Sequence, residues 1–385
     1  MPGYTVGYDV SCLVDQPLTG VGYHTLHLVR GLLALEDGPA VRLFASSAKA
    51  APALLADLGA AADGLQMVRW PTRLKLNLWL RLGWPGIERF TGPVDIAHGA
   101  FHLTPASRCA RRMVTVHDLS CLRFPAVHTA SSRMLHARLL RHAVCHADAI
   151  IAVSQNTRAD LIQLLGADPA RVYVVPNGVC LGEFAAPFPT ATLAAAKAKF
   201  GIGRRYLLHL GTLEPRKNLE RLIEAYAAVR ATAPDCPQLV LAGAKGWLYD
   251  AVFDAIARLG LGGAVIHMGH VTREEAVALL RGAEGLAYPS LYEGFGLPVL
   301  EAMAARTPVL TSNTSSLPEV VGGCGLLVDP EDVDAIAAGL ERLVTDRAHM
   351  EVLAARGRER AAQFTWDASA RALDQVYRTL LGEGA

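Results

Sequence analysis

At 385 residues the chain is too long for one ordinary core and suits two domains, and its composition, 51% apolar and 19% charged in short runs broken by Gly and Pro, excludes a disordered protein. The 37 Lys+Arg against 36 Asp+Glu leave a net charge of +1, which excludes a global field for polyanions, so no nucleic-acid partner is predicted. Seven scattered cysteines without a C-x-x-C pair exclude a disulfide framework and a zinc site, and fit a reducing compartment.

Taken in chain order, Met1 leads straight into the strand-like Tyr4–Val10, with no basic and apolar leader. No apolar stretch approaches the roughly 18 residues that span a bilayer, so a cytoplasmic protein is predicted. Short β-like runs then alternate with amphipathic stretches, the mark of βαβ units and parallel sheets. Strands are predicted at Val41–Phe44, Val94–His98, Met113–His117, Ala149–Val153 and Val172–Val175, with helices at Gly22–Leu35, Ser131–His146 and Thr157–Leu165. Gly20 and Gly22 open the first helix and let backbone approach a phosphate or an acceptor, although they form no G-x-G-x-x-G fingerprint. Residues 69–84 mix Trp70, Trp79 and Trp84 with Arg69, Arg73, Lys75 and Arg81. Two readings stand side by side: peripheral membrane contact through the 69–90 region, or a core helix whose cations snorkel. His117 closes a strand, Asp118 supports the following loop, and Ser154 and Asn156 are helix caps or acceptor contacts.

The run Val175-Pro-Asn-Gly-Val179, with Pro187 and Pro189 beyond it, reads as a domain boundary. The domains predicted are 1–180, 181–365, and a C-terminal helix at 366–385 packing back toward the first. The pattern restarts with strands at Arg205–Leu210, Gln238–Ala242, Val265–Met268, Gly285–Tyr288, Pro308–Thr311 and Gly325–Val328, and helices beginning near Asn218, Trp247, Arg273, Pro298 and Glu331. Two doubly wound parallel sheets place ligands at the carboxyl ends of their strands, so the site is predicted between the halves.

Two segments carry chemistry. In Gly211-Thr-Leu-Glu-Pro-Arg-Lys-Asn218, a strand and a glycine turn deliver Arg216, a planar fork for phosphate oxygens, and Lys217, a point charge, ahead of a helix capped by Asn218. The alternative is a solvated basic turn. In Glu293-Gly-Phe-Gly-Leu-Pro-Val-Leu-Glu301, Gly294, Phe295, Gly296 and Leu297 bring backbone to a helix start that favours an anion, with Pro298 suited to the first turn. Carboxylates repel phosphate and suit hydroxyls, so Glu293 is assigned to a sugar and Glu301 to a ribose diol. The alternative makes Glu301 a first-turn dipole partner and Glu293 a loop charge.

These two segments in this order, with Leu317-Pro-Glu-Val320 downstream and Val116-His-Asp118 and Val175-Pro-Asn-Gly178 upstream, resemble family 4 of the retaining GT-B glycosyltransferases over nearly the whole chain. The resemblance, strongest to bacterial mannosyltransferases of surface-polysaccharide assembly, implies an α/β GT-B fold of two Rossmann-like domains. It implies transfer of a hexose, mannose from GDP-mannose first and UDP-sugars second, to a glycan or lipid-linked glycan acceptor. Arg216 and Lys217 would then bind the diphosphate with backbone support from residues 295–297, Glu293 the transferred sugar, Glu301 the ribose, and His117 the donor sugar near the reacting centre. No cofactor and no metal are predicted: the lone D-x-D, Asp332-Val-Asp334, reads as helix capping. A dinucleotide oxidoreductase lacks its fingerprint here; a silent nucleotide-sugar-binding assembly subunit is the remaining alternative. Gly322-Gly-Cys-Gly325 departs from the family pattern and touches local packing only.

Overall fold

A computed structural model describes residues 3–14, 18–47, 58, 65–233 and 235–382. The chain forms two units, one of residues 1–123, 130–178 and 364–385, the other of residues 124–129 and 179–363.

The first unit is built on a seven-stranded parallel sheet: β1 (Thr5–Asp9), β2 (Ala40–Ser46), β3 (Leu65–Val68), β4 (Ile96–Gly99), β5 (Arg111–Val116), β6 (Ala149–Ala152) and β7 (Val172–Val174), in the order β3-β2-β1-β4-β5-β6-β7. β1 sits between β2 and β4, with Val6 opposite both Val41 and Ile96. Helices cover both faces, so strands such as Ala149–Ala152 are buried throughout and read as continuous apolar runs. The helix Trp366–Leu381 belongs to this core through Ala370, Leu373, Val376 and Tyr377, and the Tyr377 hydroxyl hydrogen-bonds His98 Nδ1 at 2.6 Å. Its start is pinned by Gly178, where an added Cβ would lie 2.3 Å from the Trp366 backbone nitrogen.

The second unit carries a six-stranded parallel sheet: β8 (Tyr206–Leu210), β9 (Gln238–Ala242), β10 (Val265–Gly269), β11 (Gly285–Tyr288), β12 (Val309–Ser312) and β13 (Leu326–Val328), in the order β10-β9-β8-β11-β12-β13. Phe124–Thr129 joins this unit: the Trp247 indole N–H donates to the Val127 carbonyl at 2.6 Å and the ring stacks on His128.

Most predicted elements stand within a few residues of their expected places, but the helix Arg347–Ala361 is not among them and other details differ. β3 has only four residues and no alternation to mark it. The helix expected near Trp247 begins at Asp250, because Trp247 is engaged with Val127. Asn218 stands at the N-cap position as expected, but its side chain does not cap the helix: it adopts a left-handed conformation (φ 59°) and its side-chain amide donates to the carbonyls of Pro289 (3.0 Å) and Pro330 (2.6 Å). Lys75 does not snorkel. Within the helix Thr72–Leu82 its ammonium is buried, donating to Asp9 Oδ2 at 2.8 Å and Ser11 Oγ at 2.7 Å, while Trp79 beside it is also buried.

Candidate active site

At the carboxyl end of β8 the chain turns at Gly211 (φ 155°), runs through a short 3-10 turn at Pro215–Lys217 and enters the helix Leu219–Thr232. At the end of the neighbouring β11 it forms the loop of Glu293 and turns into the helix Leu297–Ala304 at Gly296 (φ 103°), where an added Cβ would meet the Leu317 side chain at 2.7 Å. The pairing of β8 with β11 sets these two loops side by side, and the Leu291 N–H donates to the Arg216 carbonyl at 2.9 Å.

The structure thereby brings Arg216, Lys217 and Glu293 together. Arg216 Nη1 lies 2.7 Å from Glu293 Oε2, and Lys217 Nζ lies 2.6 Å from Glu293 Oε1. Arg216 also pairs with Glu214, and Lys217 donates to the Tyr288 hydroxyl, which in turn donates to Glu293 Oε1 at 3.0 Å. All of these groups are largely withdrawn from water, so each charge needs its partner. Burial pushes the Glu293 carboxyl up, but Arg216 and Lys217 outweigh it and hold it at about 2. Glu293 is therefore an ionised acceptor at any physiological pH, able to take hydrogen bonds from hydroxyls and unable to donate them.

His209 lines the same corner. Its ring stacks on Tyr288, its Nδ1–H donates to the Ala287 carbonyl at 3.1 Å, and burial, then the Lys217 charge, holds it neutral at about 4. Its Nε2 is buried with no protein partner and lies 3.6 Å from where a Cβ on Gly211 would stand. An acceptor nitrogen thus faces the glycine turn.

Glu301, in the first turns of the helix at Leu297, is paired with Arg273 Nη1, and Arg273 Nε donates to Glu183 at 2.8 Å. Burial raises the Glu301 carboxyl against the opposing pull of Arg273. The Glu293 loop is fastened from β12's far end: Ser315 Oγ accepts from the Glu293 N–H, and Ser316 Oγ lies 2.9 Å from the carbonyls of Glu293 and Phe295.

His117, Gly20 and Gly22 belong to the first unit. His117 Nε2–H donates to the Ala100 carbonyl at 2.9 Å and burial lowers its pKa, leaving a neutral ring with Nδ1 as acceptor. Gly22 gives its N–H to Thr19, the cap of the helix Gly20–Leu33, and its missing Cβ leaves room for Leu18 at 3.0 Å; Gly20 is exposed at the helix start. Asp118 accepts from the Ser120 N–H and hydroxyl, and Ser154 caps the helix Gln155–Leu165. Asp332 caps Val333–Thr345 by accepting from the N–H groups of Asp334 and Ala335.

With this geometry in view, comparison with known proteins is decisive for the family. Residues 18–183 match the model of Glycosyltransferase Family 4, and residues 192–360 that of Glycosyl transferases group 1. The chain is 32% identical over 377 residues to the O-antigen chain mannosyltransferase B of Escherichia coli, covering 95% of this chain and 98% of that protein. The chain belongs to glycosyltransferase family 4. It is a glycosyltransferase of GT-B architecture. Among solved structures it is similar to a sucrose-phosphate synthase from Thermosynechococcus elongatus (TM-score 0.73, 22% identity, 98% of this chain and 99% of that one). It is also similar to Anabaena HepE in complex with UDP and glucose (TM-score 0.73, 20% identity, 98% and 100%).

Several partners in the transferase's site escape a reading of the sequence. Glu214 stands inside the first chemical segment and Tyr288 just ahead of the second, but only the β8–β11 pairing reveals that they meet Arg216, Lys217 and Glu293. Arg273 and Glu183 are distant in sequence from Glu301; the one signal is a cation heading a helix whose Thr272–Glu275 capping box already satisfies its first turn.

Proposed function

We propose that the transferase moves mannose from GDP-mannose to a glycan or lipid-linked glycan with retention of configuration and without a metal, in peripheral contact with the cytoplasmic face of a membrane through residues 69–90. The observation that carries the transfer chemistry is the buried bridge from Glu293 to Arg216 and Lys217. Glu293 holds the two cations in place before a donor arrives, and in the donor complex its oxygens turn to sugar hydroxyls while the cations turn to the diphosphate. Glu301 holds the ribose, and the backbone at Phe295, Gly296 and Leu297 adds the positive end of a helix.

In the reacting complex the bond from the anomeric carbon to the phosphate oxygen breaks and a bond to the acceptor oxygen forms on the same face. The acceptor proton passes to the departing phosphate oxygen, so no protein base is required. The charge left on the diphosphate is neutralised by Arg216, Lys217 and the helix start, which is the part a divalent cation plays elsewhere. His117, neutral with Nδ1 as acceptor, takes a hydroxyl hydrogen of the donor sugar.

The mannose assignment is supported by the relative that spans 95% of the chain. A UDP-sugar donor is the second reading, favoured by the neighbour solved with UDP and glucose. Release of nucleotide from a panel of GDP- and UDP-sugars, with and without chelator, tests all three points: selective GDP release from GDP-mannose that chelator leaves unchanged is expected. Selective UDP release would overturn the donor, and loss of turnover in chelator the metal independence.

A further inference from the structure

The segment at residues 69–84 borders a cavity that the transfer chemistry leaves unused. The helix Thr72–Leu82 and the helix Ala130–His146 jointly line a cavity of about 150 Å³, into which Arg81, Arg112, His142, His146 and Thr104 face. Neither helix contains an Asp or a Glu. Two carboxylates stand nearby without lining the cavity: Glu88 accepts from the Ser107 hydroxyl, and Asp148 accepts from the Arg112 backbone N–H and lies 3.9 Å from Arg112 Nε.

Among the described residues, two polar groups at the cavity lack a protein partner. Thr104 is 1% exposed and its hydroxyl is unpaired, and His142 Nδ1 is buried and unpaired. Burial first, then the neighbouring His146, Arg112 and Arg138, holds His142 down at about 4. A positive field therefore converges on unsatisfied hydrogen-bonding groups, and two guanidinium forks, a hydroxyl and imidazole nitrogens match the oxygens of a phosphate.

The surroundings indicate where that phosphate comes from. Leu82 (68% exposed) and Trp84 (47%) follow Arg81 directly, Met134 and Leu135 are exposed on the second helix, and Arg69, Arg73, Arg133, Arg138 and Arg141 are exposed around them. Apolar side chains among cations suit an anionic bilayer surface, where aromatic and leucine side chains enter the interface and arginines meet headgroups. We propose that this cavity seats the phosphate of an anionic phospholipid headgroup, with Leu82 and Trp84 entering the interface beside it. The inference rests on the peripheral contact proposed above and turns a segment into a site; it is independent of the donor chemistry.

The test is co-sedimentation of the full chain with phosphatidylcholine vesicles with and without phosphatidylglycerol. Binding on the order of tenfold stronger to the phosphatidylglycerol vesicles is expected, since each cation near an anionic surface is worth about 1 kcal/mol. A Thr104→Val/His142→Leu double variant should lower the affinity for phosphatidylglycerol vesicles several-fold while the surface arginines keep a residual preference, Arg81→Gln should also lower it, and Arg358→Glu in the second unit should leave it unchanged. If the double variant, shown folded by unchanged circular dichroism and by unchanged thermal unfolding followed through the tryptophans of the first unit, still sediments like the parent, the cavity is not the site although peripheral contact stands. Equal or absent binding of the parent to both vesicles overturns site and contact together. Saturable binding of inorganic phosphate in calorimetry without vesicle binding overturns the lipid source.

Discussion

Lys217 joins packing to the chemistry proposed for this site. Its ammonium is buried between a carboxylate and a phenol, and burial, then the neighbouring Arg216, lowers its pKa. Lys217→Ala removes the cation proposed to hold the leaving group, and a fall in turnover on the order of 10² to 10³ is expected by analogy with the loss of one electrostatic contact in other enzymes. Unchanged turnover in a folded variant would remove Lys217 from the mechanism. Tyr288 acts at one remove, because its hydroxyl joins Lys217 to Glu293 while its ring stacks on His209. Tyr288→Phe keeps the ring and loses only the hydroxyl. Hydrogen bonds to charged groups are worth about 1.5–3 kcal/mol, so a roughly ten- to hundredfold loss in kcat is expected, with the donor KM little moved. A steady-state analysis showing the loss in KM instead would make Tyr288 a donor contact rather than a positioning residue.

At the scale of elements, the loops that deliver these side chains are held by backbone conformations as much as by side-chain contacts. Asn218 occupies the left-handed region and ties the turn after β8 to the carbonyls of Pro289 and Pro330. Asn218→Ala gives up both bonds and strains the backbone, and a destabilisation of about 2–4 kcal/mol in urea unfolding is expected; Asn218→Gly should cost less, since it removes the strain. Equal losses would show that the backbone conformation is unimportant. Asn218 also marks the limit of what the sequence discloses. The order of strands and helices, the placement of Arg216, Lys217 and Glu293 on strand ends and the turn at Gly296 were legible, because apolar periodicity and glycine carry local information. That Asn218 bridges two distant carbonyls, that Arg273 spans Glu183 and Glu301, and that Lys75 is buried on Asp9 were not, since each depends on which strands neighbour one another. Lys75 in particular looks like any cation on an amphipathic helix until β1 supplies its carboxylate.

For the whole molecule, the distribution of buried histidines makes the two units unequal in acid. In the first unit His98 and His102 are held near 3 and His142 near 4, and His24, His117 and His136 are also lowered, in every case by burial first. In the second unit His209 is lowered, to about 4. A histidine kept neutral below its ordinary value takes up its proton on unfolding, so the unfolded chain binds more protons between about pH 6.5 and the folded value, and stability is lost as pH falls through that window. Glu293 acts lower, losing its contribution as pH falls from about 4.5 toward 2. The first unit is therefore expected to unfold at a higher pH than the second. Trp247→Phe leaves Trp70, Trp79, Trp84 and Trp366 as reporters of the first unit, and their fluorescence should change between pH 6 and 4 before the nucleotide binding proposed for the second unit is lost. Simultaneous loss would count against the histidines as its cause.

The helix Trp366–Leu381, pinned at Gly178 and buried among the strands of the first unit, also sets a timetable for synthesis. Roughly 200 residues are translated between Gly178 and Leu381, about 10–40 s at ordinary elongation rates. For that interval the nascent first unit carries an open apolar face where Leu373, Val376 and Tyr377 will lie, while the second unit already has all its strands by Val328. The unit begun first is the last to be closed, and a ribosome that stalls before residue 366 leaves a chain whose exposed core marks it as unfinished to chaperones and proteases.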